Sequence, residues 1–232
     1  MPLETFSIQL ISILNSDLRL DARYYSSDVY KASTILNSCG YRLKPLSEVV
    51  ESVFHLPRFD RTFTDEEDKG FPYLSPTDLV MFKPLRKRFI LKDIKRPERF
   101  FVKEGWLLLT CSGAIGRAIY VTKSLEKYFI THDIIRIVPK SKGEVLSGFL
   151  YAYLWSWIGN ALLTKDQYGM TVKHIEPEHV RQLLVPILPK NIQRKIHEKI
   201  IKAWQLREEA NRLEEQAINE LLKFLKKSRN HA

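Results

Sequence analysis

The chain has 232 residues, of which 44% are hydrophobic and 11% aromatic, and its 37 Lys and Arg against 27 Asp and Glu give a net charge of +10. That apolar content can bury a core and excludes general disorder, and the length allows one large domain or a domain with an appendage. The charge excess suits a polyanionic partner, nucleic acid before an anionic membrane, although a soluble protein can also be basic without one.

The two cysteines, Cys39 and Cys111, have no CxxC spacing and no histidine-rich surroundings. A reduced, cytoplasmic chain without a structural zinc site or other cofactor is expected. The opening "MPLETFSIQLISIL" carries Glu4 and no basic stretch, so it does not read as a signal peptide. Residues 15–38 look helical, with Ser16 or Asp17 as N-cap and a stop at Gly40. From Tyr41 to Pro139 the pattern shifts to short β-rich runs, "KRFIL", "RFFV", "WLLLT", "AIYV" and "DIIRIVP". The polar loops "HLPRFDRTFTDEEDKG" and "KPLRKR" lie between them.

Residues 145–163 carry no charge and approach the length of a bilayer span. Their internal Ser147, Gly148, Ser156, Gly159 and Asn160 and scattered aromatics favour a buried amphipathic helix over 146–163, and no membrane association. "TKDQYGMTVKHI" then reads as a polar loop leading into an extended segment, and Pro186 and Pro189 exclude helix around them. From Gln193 to Lys227 neither Gly nor Pro interrupts a stripe of Ile196, Ile200, Ala203, Leu206, Ala210, Leu213, Ala217 and Leu221. This predicts a helix of about 35 residues, roughly 50 Å long, whose apolar face needs a second helix from this chain or a partner.

Several chemistries are missing. "LLLTCSGAIGRAIYV", residues 107–121, could be a phosphate cradle, a bulged hairpin or a DNA-reading loop. It lacks the Lys-Ser/Thr of a phosphate-binding loop, opens a strand instead of a helix, and holds only half of a GxGxxG. No Pro-Pro occurs, so an amino-methyltransferase motif is absent. Asp78 with Asp93 and Lys95 fits a Mg²⁺-dependent nuclease only loosely. His132 and Asp133 could pair as acid and base, yet adjacent strand residues point to opposite faces and no nucleophile stands beside them. His174 reads as a loop or strand histidine.

The order "RLDARYY", "GFPYLSPTDL", "VKEGWLLLTCSGAIGRAIYV", "ITHDIIRIVP", an apolar helix, and "YGMTVKHIEPEHVRQLLVPILPKNIQRKI" resembles the specificity subunits of type I restriction–modification systems. More narrowly, it resembles one half of such a subunit, a single target-recognition domain followed by one helix. The sequence departs from the family where Trp106 follows Gly105, in place of the usual Asp, and at His132 and Asp133, where Asn is common. The resemblance implies an α+β fold: a mixed β-rich recognition domain over 1–190 and a coiled-coil-type helix over 191–232. It also implies a non-catalytic subunit that binds double-stranded DNA and reads one half of a bipartite target. Methyltransferase (modification) subunits and a restriction/translocase subunit would dock on it.

On this reading, sequence readout sits in loops. The candidates are Arg58 and Arg61; Lys83, Arg86, Lys87 and Arg88; Ser112 and Arg117; and Lys165, Gln167, Tyr168, Thr171 and Lys173. Gln and Arg supply bidentate geometry for adenine and guanine edges, and the lysines supply phosphate contacts. Gly113 and Gly116 would permit the tight turn that presents Arg117, although a structural hairpin with a solvated Arg117 fits the same residues. A chain with one recognition domain and one helix is expected to pair with a second copy or a second half-subunit, and an antiparallel homodimer would read an inverted repeat. The alternatives are the Asp78/Asp93 nuclease and a helical adaptor that binds acidic protein or a membrane surface instead of DNA.

Overall fold

The computed structural model describes residues 7, 9–14, 20–81, 88–169 and 172–229. The first part of the chain forms α1 (Leu10–Leu14), α2 (Ser27–Ser38), β1 (Leu43–Pro45), α3 (Leu46–Val49), β2 (Val50–Phe54), β3 (Phe63–Thr64), β4 (Gly70–Leu74), α4 (Pro76–Val80) and β5 (Phe89–Leu91). After a 3-10 turn at Pro97–Phe100 come β6 (Leu107–Thr110), β7 (Ala118–Tyr120), a second 3-10 turn at Lys123–Lys127, β8 (Phe129–Ile130) and β9 (Ile134–Pro139). The chain continues through α5 (Ser147–Trp155), α6 (Trp157–Thr164), α7 (Pro177–Gln182), β10 (Leu184–Pro186) and α8 (Lys190–Arg229). The class is α+β with a long C-terminal helix, in agreement with the expectation from sequence.

The main sheet has the order β2-β9-β6-β7, antiparallel throughout. Its central strands, β6 and β9, are buried along nearly their whole length, which is why both read as continuous apolar runs and not as alternating ones. The register sets Phe54 opposite Arg136, Thr110 opposite Ile134 and Leu109 opposite Ala118. The end of β2, the end of β6 and the starts of β7 and β9 therefore share one edge of the sheet, and the loops 55–61, 111–117 and 131–133 all leave from it.

A second sheet, β3-β5-β4-β8, is packed around Phe129. That ring stacks on Phe100 at 4.5 Å and Phe71 at 5.9 Å and takes the edge of Phe59 at 5.4 Å. Aromatic pairs in these geometries are worth about 0.5–1.5 kcal/mol beyond their buried area.

Three expectations need correction. Helix α2 begins at Ser27, capped by Ser26 Oγ, and residues 22–25 form a turn; the candidate caps Ser16 and Asp17 lie outside the described residues. In "RFFV", expected as a strand, Arg99 and Phe100 close the 3-10 turn Pro97–Phe100 that follows the left-handed Arg96, and Phe101 is extended but lies outside any strand. The apolar helix over 146–163 is two helices broken at Ser156, whose backbone is extended and whose hydroxyl accepts from Gly159 N at 3.1 Å. At that break a Cβ on Gly159 would lie 2.0 Å from Tyr153 O, so only glycine permits it. Among the described residues no helix is long and apolar enough to cross a membrane.

Helix α8 runs 40 residues from the residue after Pro189. Its first turns are built into the domain. The buried Gln193 donates to Glu144 O at 3.1 Å and Leu188 O at 2.8 Å and accepts from Leu146 N at 3.0 Å. Gly148 lets α5 approach until its N–H reaches His197 Nδ1 at 3.0 Å. Trp204 is buried against Tyr151 at 5.9 Å. Ile196 and Ile200 also pack against this core, so the first half of the stripe finds its partner within its own chain, and Ala203 there is half-buried. Beyond Trp204 the stripe is bare: Leu206, Leu213 and Leu221 are 57%, 52% and 58% exposed.

Candidate nucleic-acid interface

The turn after β6 is held by its own strand residue. Thr110 Oγ1 accepts from Arg117 N at 2.9 Å and donates to Ala114 O at 2.5 Å, while Gly116 N donates to Thr110 O at 3.0 Å. Gly113 and Gly116 have φ of 67° and 79°, a region costly for residues with a Cβ. At Gly116 the space is closed as well: an added Cβ would lie 2.8 Å from Asn160 Nδ2, the atom that donates to Gly116 O at 2.9 Å. The turn is thus pinned to α6 on one side. On the other it pairs with the loop 165–176, through Gly113 N to Lys173 O at 3.2 Å and Ile175 N to Cys111 O at 3.0 Å. That loop folds back on itself, with Tyr168 and His174 exchanging backbone hydrogen bonds at 2.9 and 2.8 Å. Tyr168 hydroxyl donates to Glu176, whose other oxygen lies 3.4 Å from His55 Nε2.

The loop 55–61 is anchored by Leu56 and by Phe59, whose ring meets Phe100 at 4.8 Å and His132 at 5.2 Å. These anchors leave Arg58, Asp60 and Arg61 exposed. Opposite them, the loop 131–133 is pinned from below by Arg136, which is fully buried on β9 and donates to Ile134 O, Ile130 O and Thr131 O at 3.1, 3.1 and 3.2 Å. Burial pulls its guanidinium down to about 10. Burial, with Asp133 and Glu176 nearby, pushes the Cys111 thiol up to about 11, so it stays protonated and is no nucleophile at neutral pH. His132 is held below its ordinary value, first by burial and then by Arg61, Arg58 and Arg136, against the opposing pull of Asp133.

Of the candidates chosen from sequence, Arg58, Arg61, Ser112, Arg117, Lys165, Gln167, Tyr168 and Lys173 lie on loops that this sheet edge brings together. Arg117 is exposed, with its guanidinium carbon over the Trp155 ring at 5.5 Å from its centre. Lys165 rests 4.9 Å from the Tyr24 ring centre. Arg88 stands apart, ion-paired to Asp78 at 3.0 Å beside the rings of Phe63 and Tyr73. Lys83, Arg86, Lys87 and Thr171 lie outside the described residues.

Asp78 Oδ2 is committed to the capping box of α4 and to Arg88, accepting from Ser75 N at 2.9 Å and Ser75 Oγ at 2.6 Å. Among the described residues no group of three or more His, Cys, Asp or Glu is placed to hold a metal ion. His132 and Asp133 lie on a bend, not a strand, so their side chains do meet, His132 Nε2 to Asp133 Oδ1 at 3.3 Å. Sequence reasoning missed His55, Glu176, Trp155 and Arg136. Only the aromatic Trp155, at the end of an apolar run, carried any local signal.

The sequence pattern of the type I restriction modification DNA specificity domain matches residues 40–223, well over half of the chain. No protein of curated function matches it. Among solved structures, the HsdS subunit from Thermoanaerobacter tengcongensis shares 16% identity and superposes with a TM-score of 0.50 over 88% of this chain and 50% of its own. A chain from a structure of a type I restriction–modification system, solved to address complex assembly and conformational transition, gives 15% and 0.51 over 92% of this chain and 52% of its own. The type IIG restriction endonuclease BpuSI gives 12% and 0.54 over 83% of this chain and 30% of its own. At these identities the likeness is one of fold, and the chain spans about half the length of the first two.

Proposed function

The chain belongs to the type I restriction modification DNA specificity domain family, and on that premise we propose that it is a non-catalytic DNA-reading component whose loops at one sheet edge recognise one half of a bipartite duplex target. The observation that carries this is the hydrogen-bonded union of the 111–117 turn with the 165–176 loop, flanked by 55–61 and 131–133. Exposed Arg58, Arg61, Arg117 and Lys173 crown that edge. A rigid sheet with polar loops at one end can present side chains to a groove without a recognition helix. Residues 1–190 then form the reading domain, and the segment 191–232, most of it α8, is where a second copy or half-subunit, methyltransferase subunits and a restriction/translocase subunit assemble.

The contacts divide into two kinds, and mutation separates them. Lys173→Ala should weaken binding to all duplexes alike and reduce the slope of log affinity against log salt by about one, as loss of a phosphate contact requires. Gln167→Ala should instead lower discrimination between the preferred site and its single-base variants. Fluorescence anisotropy titrations over a series of salt concentrations check both. Equal, sequence-blind losses in the two variants would contradict the division.

A further inference from the structure

A cavity of about 460 Å³ opens between the loops 55–61 and 131–133, lined by Arg58, Phe59, Asp60, Arg61, His132 and Asp133. Its charges balance: two arginines face two carboxylates, and burial favours the neutral form of His132. A phosphate would meet both carboxylates, so this lining disfavours an anion. It suits a neutral group with hydrogen-bonding edges.

Of the two arginines lining the cavity, Arg61 has a hydrogen bond that holds it in place among the described residues. Its Nη2 donates to Asp133 Oδ2 at 3.2 Å, and Asp133 Oδ1 is in turn 3.3 Å from His132 Nε2. His132 is 5% exposed, wedged edge-on against Phe59, and its Nδ1 has no hydrogen-bond partner among the described residues. Nε2 is thus the ring nitrogen nearer Asp133, and the buried ring lies against the carboxylate and limits where it can go. Arg136 holds the backbone on either side of this pair by binding the carbonyls of Ile130, Thr131 and Ile134. The result is an arginine fork oriented by a buttressed carboxylate, with one N–H donated to it and no further hydrogen bond among the described residues. A pre-oriented, donor-only fork matches the paired acceptors O6 and N7 that guanine alone presents in the major groove.

Resting on the DNA-recognition reading above, we propose that this cavity reads one guanine of the target, with Arg61 as the specificity-determining residue and Asp133 and His132 as its positioning residues. The test uses the full chain and a duplex carrying its preferred site, obtained by selection from a random pool. Each guanine of the site is replaced in turn by 7-deazaguanine, which removes the N7 acceptor and little else. The wild-type protein should lose about 10-fold in affinity at one such guanine. In Arg61→Ala that loss should shrink below about twofold at that guanine, and in Asp133→Asn it should shrink part of the way. A merely structural defect would lower affinity for the normal and the modified duplex together and leave their ratio intact. If the wild type selects a site but Arg61→Ala leaves every 7-deazaguanine ratio unchanged, the guanine assignment is overturned and the DNA-recognition reading stands. If the wild type selects no site at all, both are overturned.

Discussion

Leu213→Asp is expected to lower affinity for a duplex with two half-sites by about 100-fold, while affinity for a single half-site stays within about twofold. Leu213 is half exposed and lies past Trp204, the last buried residue of α8 among the described ones, so a charge there should not disturb the domain core. What it disrupts is the bare stripe of Leu206, Ala210, Leu213, Ala217 and Leu221, where two alanines allow close helix approach. An exposed apolar surface of this length is rare on a lone soluble domain, and the proposed pairing with a second copy would cover it. When two copies pair, the second reading domain binds its half-site as an intramolecular event, and such linkage commonly adds 10²- to 10⁴-fold. Sedimentation equilibrium at tens of micromolar, beside anisotropy titrations, checks the prediction. A monomeric wild type whose Leu213→Asp variant binds DNA equally well would remove the pairing helix from the account.

Arg136→Met is expected to lower the melting temperature by about 5–10 °C and to reduce discrimination between preferred and non-preferred duplexes even at temperatures where the variant is folded. Two opposing terms decide the sign. Burial that pulls the guanidinium from 12.5 to about 10 costs about 3 kcal/mol at 1.36 kcal/mol per pH unit, and methionine removes that cost. Against it, the carbonyls of Ile130, Thr131 and Ile134 lose their donor, at about 1–3 kcal/mol for each one left buried and unpaired. The carbonyls win by a few kcal/mol, and in a chain of this size each kcal/mol is worth about 2–4 °C. Discrimination falls because the same hydrogen bonds hold the loop that carries His132 and Asp133. Thermal melts followed by circular dichroism give the first readout. A melting temperature that is unchanged or raised would show that burying this charge costs as much as its hydrogen bonds supply.

The sequence made some of this legible and hid the rest for physical reasons. The length of α8 was readable because 3.6-residue periodicity runs uninterrupted by Gly or Pro, whereas which half of its stripe is already covered depends on α5, some 50 residues earlier. Strands β6 and β9 announced themselves as β-branched and leucine runs. The break at Ser156 did not, since serine inside an apolar run looks tolerable until its hydroxyl is seen capping Gly159. Gly113 and Gly116 marked the turn correctly, yet the reason Gly116 must be glycine is Asn160, contributed by another helix. The pair Arg61–Asp133 joins positions 72 apart, and local pattern has no access to such a contact. Strand geometry would separate the neighbours His132 and Asp133, and a bend brings them together. Local chemistry therefore picked out polar loops as candidates, and only the sheet register showed that several of them share an edge.

The most direct test of the account is selection of binding sites by the purified chain from a pool of random duplex DNA at moderate salt. The expected outcome is enrichment of a short motif in two inverted copies separated by an unselected spacer, with affinity falling steeply as salt rises. A pool that emerges with no enriched motif, from a protein that remains folded, would contradict the claim that the loops at this sheet edge read DNA sequence.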